Sequence, residues 1–514
     1  MKKEMNNNIK RIGTLVLTGV MIISAAAMVG GCNKQDNNKE KDTIVVGIQQ
    51  ALDGLDPHTV ESAGTREVLY NVFEGLIKVE SDGTISAALA SEYSINDEGT
   101  VYTFVIRENV KFHDGSVLTT EDVKYSIERN AGLLSEGGEA LDDAFTNIES
   151  VNIKEGNKVE LVLKTADSEF ISYLNEPVIK KDGEKNANEK KGPVGTGPYK
   201  VIENVAGDRL ELTKFDDYWN PEKAANIKNV TFKVVTASSA MLGMKAGTID
   251  IFPYITEDQA NELEAAGFEI LDGNTNLVQA LYLNHNCDKF KDVSVRKALN
   301  YAIDKQEILD MVAGGKGTIL GSALFEGFGK YYKDCAGIYQ YDADKAKTLL
   351  EDALGGEKLT FTVRVPANYE VHMNTALVIQ NQLKEIGVDM KIDAIDWSTW
   401  LEEVYAGNNY EATVVGIDAK LAPKDMMRRY YSKGSGNLTA YNNPEFDKLY
   451  EEAVATTDEA KKQELYHKMQ DLLAEEAASV FIQDNVQLVA INKKLTGYTF
   501  YPIYVQDMAC VKWK

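Results

Sequence analysis

Residues Val480 to Tyr504, VFIQDNVQLVAINKKLTGYTFYPIY, decide how the domains of this chain are arranged. The stretch is rich in β-branched and aromatic residues, which favour strands. It follows Asp292 to Ala478, a long segment in which helical and strand patterns alternate. Strands that return after such a segment indicate that the chain re-enters a domain begun earlier.

Strand and helix patterns also alternate upstream of this stretch. The helical pattern Asn374 to Ile386 stops at Gly387, a suitable C-cap, and a strand pattern follows at Val388 to Ile392. Further strands are predicted at Thr43–Ile48, Val101–Ile106, Lys158–Leu163, Leu210–Lys214, Val230–Val235 and Leu277–Leu283. Capping boxes predict helix starts at Thr256 with Gln259, Asp304 with Glu307 and Thr456 with Glu459. The alternation predicts an α/β protein, and the chain is too long for a single core.

The amino terminus indicates export. Basic residues near the start precede the uncharged apolar run Ile12 to Val29, which leads through two glycines into Cys32. Small residues before a cysteine suit signal peptidase cleavage and attachment of diacylglycerol to the thiol. We therefore predict a signal peptide at 1–31, lipidation of Cys32 and a polar tether at 32–41, with the protein on the outer face of the cytoplasmic membrane. A retained transmembrane anchor is the alternative.

Charge and cysteine usage exclude several classes of protein. Residues 1–31 carry four bases and one acid, so their removal takes the net charge from −24 to −27. Such a chain repels phosphate backbones, and we expect no nucleic-acid partner. Beyond Cys32, only Cys287, Cys335 and Cys510 remain, an odd number without a Cys-x-x-Cys pair. This pattern is neither a disulfide framework nor a zinc site.

An ordered set of short motifs carries a family resemblance. In chain order they are Leu55-Asp56-Pro57, residues 71–76 (NVFEGL), 89–93 (LASEY), 102–107 (YTFVIR), 110–115 (VKFHDG), 119–123 (TTEDV), 195–199 (GTGPY), 216–219 (DDYW) and 295–299 (VRKAL). Together they resemble the family 5 extracellular solute-binding proteins, the oligopeptide, dipeptide and nickel binders of ABC importers. The resemblance covers nearly the whole chain after the tether.

The resemblance implies both a fold and a function. The fold is a two-lobed, type II periplasmic-binding-protein-like α/β fold with an extra inserted domain and a hinge between lobes. We expect lobe I at 42–79, 192–286 and 482–514, the inserted lobe II at 80–191 and lobe III at 287–481. The function is capture of a peptide in the interdomain cleft and its delivery to a membrane permease and ATPase complex. We expect a monomer that uses no cofactor.

The ligand site is expected where strands end at the cleft. In the family's peptide binders, an aspartate a few residues after a Gly-Trp pair holds the ligand's ammonium. Here Gly416 is followed by Ile417 and Asp418, and Lys420 takes the place where the acid is expected. Asp418 is therefore the candidate anchor, and the other candidate ligand-binding residues are Trp397, Trp400, Arg364, Asn368, Tyr369, Phe252 and Tyr254.

Within this set the two tryptophans lie three residues apart and share a helix face, with Trp397 expected toward the cleft. Arg364, Asn368 and Tyr369 lie at and beyond the end of a predicted strand, Leu359 to Val365. Phe252 and Tyr254 follow the predicted strand Ile249 to Ile251 in the near lobe.

Other functions remain as alternatives. The same trap could take a nickel chelate or an oligosaccharide, or could present a signal solute to a sensor. A secreted hydrolase would need a nucleophile elbow, a His-Glu-x-x-His helix or an acid pair, and the sequence has none of these. The five histidines are scattered without metal-ligand spacing, and His113 is expected to stabilise its turn rather than bind a metal.

Overall fold

A computed structural model describes residues 42–60, 62–274, 276–418, 422–434 and 436–514. The signal peptide, Cys32, the tether and Lys420 lie outside the described residues.

Strands and helices alternate along the described chain, as the sequence predicts. The strands are β1 Thr43–Ile48, β2 Ile77–Val79, β3 Ile85–Ala87, β4 Ala90–Ile95, β5 Val101–Ile106, β6 Ile148–Lys154, β7 Lys158–Leu163, β8 Tyr199–Val205, β9 Arg209–Lys214, β10 Asn229–Val234, β11 Ile251–Pro253, β12 Glu269–Asn274, β13 Leu277–Leu283, β14 Gly317–Ile319, β15 Thr360–Pro366, β16 Asp389–Ile395, β17 Ala412–Asp418, β18 Ser479–Ile491, β19 Leu495–Thr496 and β20 Lys512–Trp513.

The helices are α1 Ala63–Leu69, α2 Thr120–Asn130, α3 Ala237–Ala246, α4 Glu257–Ala265, α5 Val293–Ala302, α6 Lys305–Ala313, α7 Ala343–Leu354, α8 Glu370–Glu385, α9 Trp397–Thr399, α10 Pro423–Met427, α11 Pro444–Ala455 and α12 Glu459–Glu475. A π-helical turn, Trp400–Ala406, continues α9. No helix among the described residues is both long enough and apolar enough to cross a bilayer.

One long mixed sheet runs through the molecule in the order β16-β15-β17-β13-β18-β11-β1-β10-β9-β8. Its shared strand is β18, whose residues 479–485 pair with β13 and β14 and whose residues 486–491 pair with β12 and β11. We call β13–β17 with residues 479–485 the far half, and β1 and β8–β12 with residues 486–491 the near half. The carboxyl-terminal stretch Val480 to Tyr504 therefore contains nearly all of the strand that both halves share.

The pattern of β18 explains why both halves can share it. Val480 and Ile482 pack on one face of the far half and Phe481 on the other, because side chains alternate along a strand. Val489 and Ile491 likewise pack opposite to Leu488 and Ala490 in the near half. Both ends of the strand are thus buried on both faces, which is typical of a sheet covered by helices on each side.

A separate antiparallel sheet, β4-β5-β7-β6, has its own core and is called the inserted sheet. Thr119 and Asp122 form a capping box at the start of α2, which packs on this sheet. The chain enters this region after β2 and leaves it before β8. It is therefore an insertion within the near half.

The structure confirms most helix starts and corrects two details. The capping box of Thr256 with Gln259 is present. Asp304 caps α6 alone, since its own N–H donates to Gln382 instead of to Glu307. The start predicted at Thr456 is wrong. Asp458 caps α12, accepting from the N–H groups of two residues of the first turn, so the helix begins later.

The family motifs meet at the junction between the near half and the inserted sheet. The buried Glu74 carboxylate accepts hydrogen bonds from Tyr218 Oη at 2.6 Å and Trp219 Nε1 at 2.8 Å. His113 Nε2 donates to the Gly197 carbonyl at 3.0 Å and its Nδ1 accepts from the Gly195 N–H at 3.2 Å. The prediction that His113 is structural is confirmed, and burial lowers its pKa to about 4.

Gly195 is the tightest point of this junction. A Cβ there would overlap the Val72 carbonyl oxygen and lie 2.9 Å from the Phe73 ring. We expect Gly195→Ala to lower the free energy of unfolding by about 1–3 kcal/mol, the usual range for overpacking, as measured by denaturant unfolding. Gly337→Ala is the matched control, because a Cβ at Gly337 meets nothing within 4 Å. Equal stability of the two variants would contradict this account of the junction.

Candidate ligand-binding cleft

The strand ends of the two halves face each other at the middle of β18. In the near half, β11 is parallel to β1 and antiparallel to β18, with Ile251 opposite Ile491 and Pro253 opposite Val489, so it ends toward that middle. In the far half, β17 ends at Asp418 opposite Leu277, the residue that begins β13. Carboxyl ends of parallel strands are where open α/β sheets bind ligands. We call the space between these ends the cleft.

Two segments of the described chain cross between the halves at the floor of the cleft. One joins β12 to β13, and Asn276 there has a positive φ of 56°. The other is the middle of β18, residues 483–486. The Leu277 N–H donates to Asp484 Oδ1 at 3.2 Å and ties the two crossings together. Two short crossings of this kind allow hinge motion between the halves.

Buried polar side chains fill the far side of the floor. Gln279 Oε1 accepts from Gln483 Nε2 at 2.7 Å and from Thr375 Oγ1 at 3.1 Å. Gln279 Nε2 lies 2.8 Å from His372 Nδ1, and the Gly416 N–H donates to His372 Nε2 at 3.2 Å. Burial lowers the pKa of His372 to about 4, so this ring is neutral. Sequence reasoning missed this network. The sequence feature that could have indicated this network is Gln279, the glutamine within the apolar run LVQALYL of β13.

The far wall of the cleft brings three of the sequence candidates together. Because β15 is parallel to β16 with Pro366 opposite Ile395, the residues just beyond the two strands meet. Asn368 Oδ1 accepts from the Trp397 N–H at 3.0 Å, and the rings of Tyr369 and Trp397 meet edge to face at 5.2 Å. Tyr369 is 37% exposed and Trp397 is half-buried.

Trp400 lies behind this wall. Its ring stacks on that of Trp397 at 5.0 Å with an interplanar angle of 6°. Only 2% of Trp400 is exposed, and its Nε1 donates to Thr413 Oγ1 at 3.0 Å. The two tryptophans share a face as the sequence predicts, with Trp397 the more accessible.

The near wall contains Tyr254, which follows β11 with a φ of 58° and is 43% exposed. Its hydroxyl donates to the buried Glu67, and its carbonyl accepts from Gln49 Nε2 at 3.2 Å. Burial raises the pKa of Glu67 to about 8, opposed by the hydrogen bond from Gln506. Glu67 is therefore largely protonated at neutral pH. It belongs to the short helix α1, and its sequence context carries no signal that singles it out.

Phe252 and Arg364 lie apart from these walls. The strand β11 begins two residues later than predicted, so Phe252 is inside it and fully buried in the near core. Arg364 pairs with Glu403 and with Asp393 at 3.3 Å, and donates to the Asn409 carbonyl at 3.1 Å. Because Asn409 precedes β17, these contacts are at the amino end of that strand. They border a separate surface cavity of about 610 Å³.

Asp418 is the last residue of β17, and its backbone lies at the cleft opposite Leu277. Its side chain lies outside what the structure describes.

The remaining histidines have structural partners. His58 Nε2 lies 2.7 Å from the Pro177 carbonyl oxygen, His285 Nε2 2.9 Å from that of Ala478, and His467 Nε2 3.0 Å from that of Lys330. The described residues contain no group of three potential metal ligands. The cysteines among them, Cys287, Cys335 and Cys510, form no disulfide.

Comparison with known proteins agrees with this architecture. The chain is 25% identical to the oligopeptide-binding protein AppA of Bacillus subtilis (strain 168), over 96% of this chain and 97% of that protein. It is 26% identical to the probable D,D-dipeptide-binding periplasmic protein DdpA of Escherichia coli (strain K12), over 91% and 93% of the two chains. The crystal structure of the ABC transporter substrate-binding protein CtaP from Listeria monocytogenes superposes with a TM-score of 0.80 at 25% identity, covering 92% of this chain and all of that one.

These relatives are solute-binding proteins rather than enzymes. Residues 84–438 match the family model described as bacterial extracellular solute-binding proteins, family 5 Middle. The chain belongs to the family 5 bacterial extracellular solute-binding proteins.

Proposed function

We propose that this protein is the substrate-binding lipoprotein of an ABC importer, which captures a peptide in the cleft and delivers it to the permease and ATPase. The observation that carries the proposal is the convergence of strand ends from both halves at the middle of β18. Ligands of such folds bind between lobes and are enclosed when the lobes close. The names of the relatives, which bind oligopeptides and dipeptides, support a peptide as the ligand.

We further propose three lobes. The near lobe comprises the near half of the sheet (42–79, 192–276 and 486–514), the inserted lobe is 80–191, and the far lobe runs from 277 to 485. We draw the border at the two crossings rather than at residues 287 and 482, because β13 and the first part of β18 pair within the far half.

The lipid anchor is a further part of the proposal. A thioether-linked diacylglycerol on Cys32 would hold the protein at the outer face of the membrane, beside its permease. The basic start, the apolar run and the small residues before Cys32 support this assignment. Mass spectrometry of the amino-terminal peptide tests it, since an unmodified Cys32 would exclude the anchor.

Each wall of the cleft has a proposed part in ligand binding. Asp418 would pair with the peptide's ammonium, because a buried ammonium without an anion is strongly unfavourable. Trp397 and Tyr369 would contact side chains of the peptide from the far lobe, with Asn368 holding the Trp397 backbone. Tyr254 would contact it from the near lobe. We assign Phe252, Arg364 and Trp400 to the support of the fold.

A thermal-shift screen tests the proposed ligand class. We expect di- to hexapeptides to raise the melting temperature, since a ligand at a hundred times its Kd adds about 2.7 kcal/mol to stability. Nickel chelates and oligosaccharides belong in the same screen. Stabilisation by one of these and by no peptide would overturn the peptide assignment.

The same screen tests the ammonium anchor. Amino-acetylated copies of the stabilising peptides lack the cation and should bind at least tenfold more weakly. Asp418→Asn should remove this preference for a free amino terminus. A preference that survives the substitution would assign the anchor to another residue.

The tryptophan pair offers a matched test of the far wall. We expect Trp397→Ala to weaken binding of the best peptide by about tenfold or more, because a half-buried ring at an interface carries a large share of its energy. Trp400→Ala should mainly lower the melting temperature, since that ring is buried. Calorimetric titration and thermal melts of both variants measure the two effects. Unchanged affinity in Trp397→Ala would remove this residue from the site.

A further inference from the structure

A buried ionic contact joins the inserted lobe to the far lobe. Asp167 and Glu169 follow β7 in the inserted lobe, and Lys424 lies in the first turn of α10. Lys424 Nζ pairs with Asp167 Oδ2, and the two side chains are only 11% and 7% exposed. The Lys424 N–H donates to Glu169 Oε2 at 3.2 Å. We call these three residues the closing contact.

Neighbouring groups complete the hydrogen bonding of the closing contact. Tyr466 Oη, from the far lobe, donates to Glu169 Oε1 at 2.5 Å. Tyr173 Oη, from the inserted lobe, donates to Asp425 Oδ1 at 2.6 Å. Each lobe therefore supplies donors to acids of the other. The interface also has a backbone hydrogen bond, from the Ser168 N–H to the Val454 carbonyl at 3.0 Å.

The chemistry of this contact suits a surface that forms and separates. Pairing of buried charges roughly offsets the cost of removing them from water. When the lobes part, the same groups are hydrated, so the free energies of the two states remain close. Among the described residues, Ala422 is the one far-lobe member of the core of the inserted lobe, so this core extends little across the boundary.

The position of Lys424 links the closing contact to the cleft. It lies six residues after Asp418, the last residue of β17. The strand β17 thus ends at the cleft, and the chain beyond it contacts the inserted lobe. A rotation of the far lobe relative to the near and inserted lobes would move Lys424 relative to Asp167.

The inserted lobe is joined to the near lobe by a buried ion pair together with close packing. Arg129 and Asp56 form a bidentate pair at 2.9 and 2.6 Å, and their side chains are 13% and 10% exposed. The Glu74 and Gly195 junction adds close packing to this pair. The inserted and near lobes are therefore built as one body, against which the far lobe can rotate.

We propose that Asp167, Glu169 and Lys424 hold the far lobe against the inserted lobe when the cleft is closed. They set the balance between open and closed forms, and through it the affinity for ligand, without touching the ligand. The effect on affinity rests on the proposed solute-binding function, whereas the effect on the lobes does not.

Distance measurements on the ligand-free protein test the closing contact directly. Nitroxide labels on Glu155→Cys and Lys448→Cys, with the native cysteines replaced, report the separation of the inserted and far lobes by pulsed electron resonance. We expect a short-distance population in the parent protein. Lys424→Met should reduce the ratio of closed to open forms by about tenfold, a typical effect of one charged hydrogen bond. Asp167→Asn serves as the second variant if Lys424→Met fails to fold.

Arg129→Met is the matched control, because it removes a similarly buried ion pair between lobes that move together. It should lower stability and leave the distance distribution unchanged. The proposal is overturned if the parent protein shows no short-distance population, or if Lys424→Met and Arg129→Met give the same distribution.

Affinity for the tightest peptide of the screen provides the second readout. We expect Lys424→Met to weaken it by the factor by which the measured closed fraction falls, which is at most about tenfold, and Arg129→Met to leave it unchanged. Equal affinities of Lys424→Met and the parent would contradict the link to binding. A screen in which no peptide binds would instead count against the proposed function, while the ligand-free distances still decide the closing contact.

Discussion

The architecture depends on one strand that two halves of a sheet share. The ends of β18 are apolar on both faces and are locked into separate cores, whereas its middle carries Gln483, Asp484 and Asn485. These polar side chains cannot join an apolar core without partners. Gln483 bonds to Gln279, and Asp484 bonds to the backbone at Leu277. The strand thus places a polar crossing, and not a third core, where the two halves meet.

The cleft follows from that crossing. Strands of the near and far halves end toward it from opposite sides. Tyr254 follows a strand of the near half, and Asn368, Tyr369 and Trp397 follow two strands of the far half whose ends strand register brings together. Glu67 and His372, both uncharged by burial near neutral pH, support the two walls from behind.

Sequence patterns predicted the parts of this structure that depend on local chemistry. The strands at Thr43, Val101, Lys158 and Leu277 were predicted with the bounds that the structure shows, because alternating or continuous apolar runs report burial directly. The motifs that carry the family resemblance proved structural, since Glu74, Gly195 and His113 form the lobe junction. These motifs identify the fold and do not identify the ligand.

Contacts between residues that are distant in sequence could not be predicted in this way. Arg364 lies near the carboxyl end of a predicted strand, but its side chain bonds to Glu403 and Asn409, at the amino end of β17. Phe252 is in the core because β11 begins two residues later than the sequence predicts. The lysine at position 424 carries no signal in sequence, because its partner Asp167 is more than two hundred residues away.

Small-angle X-ray scattering with and without a saturating peptide tests whether the two halves close about the middle of β18. We predict a smaller radius of gyration and a smaller maximum dimension in the presence of peptide, at unchanged molecular mass. Identical scattering curves from the free and saturated protein would contradict it.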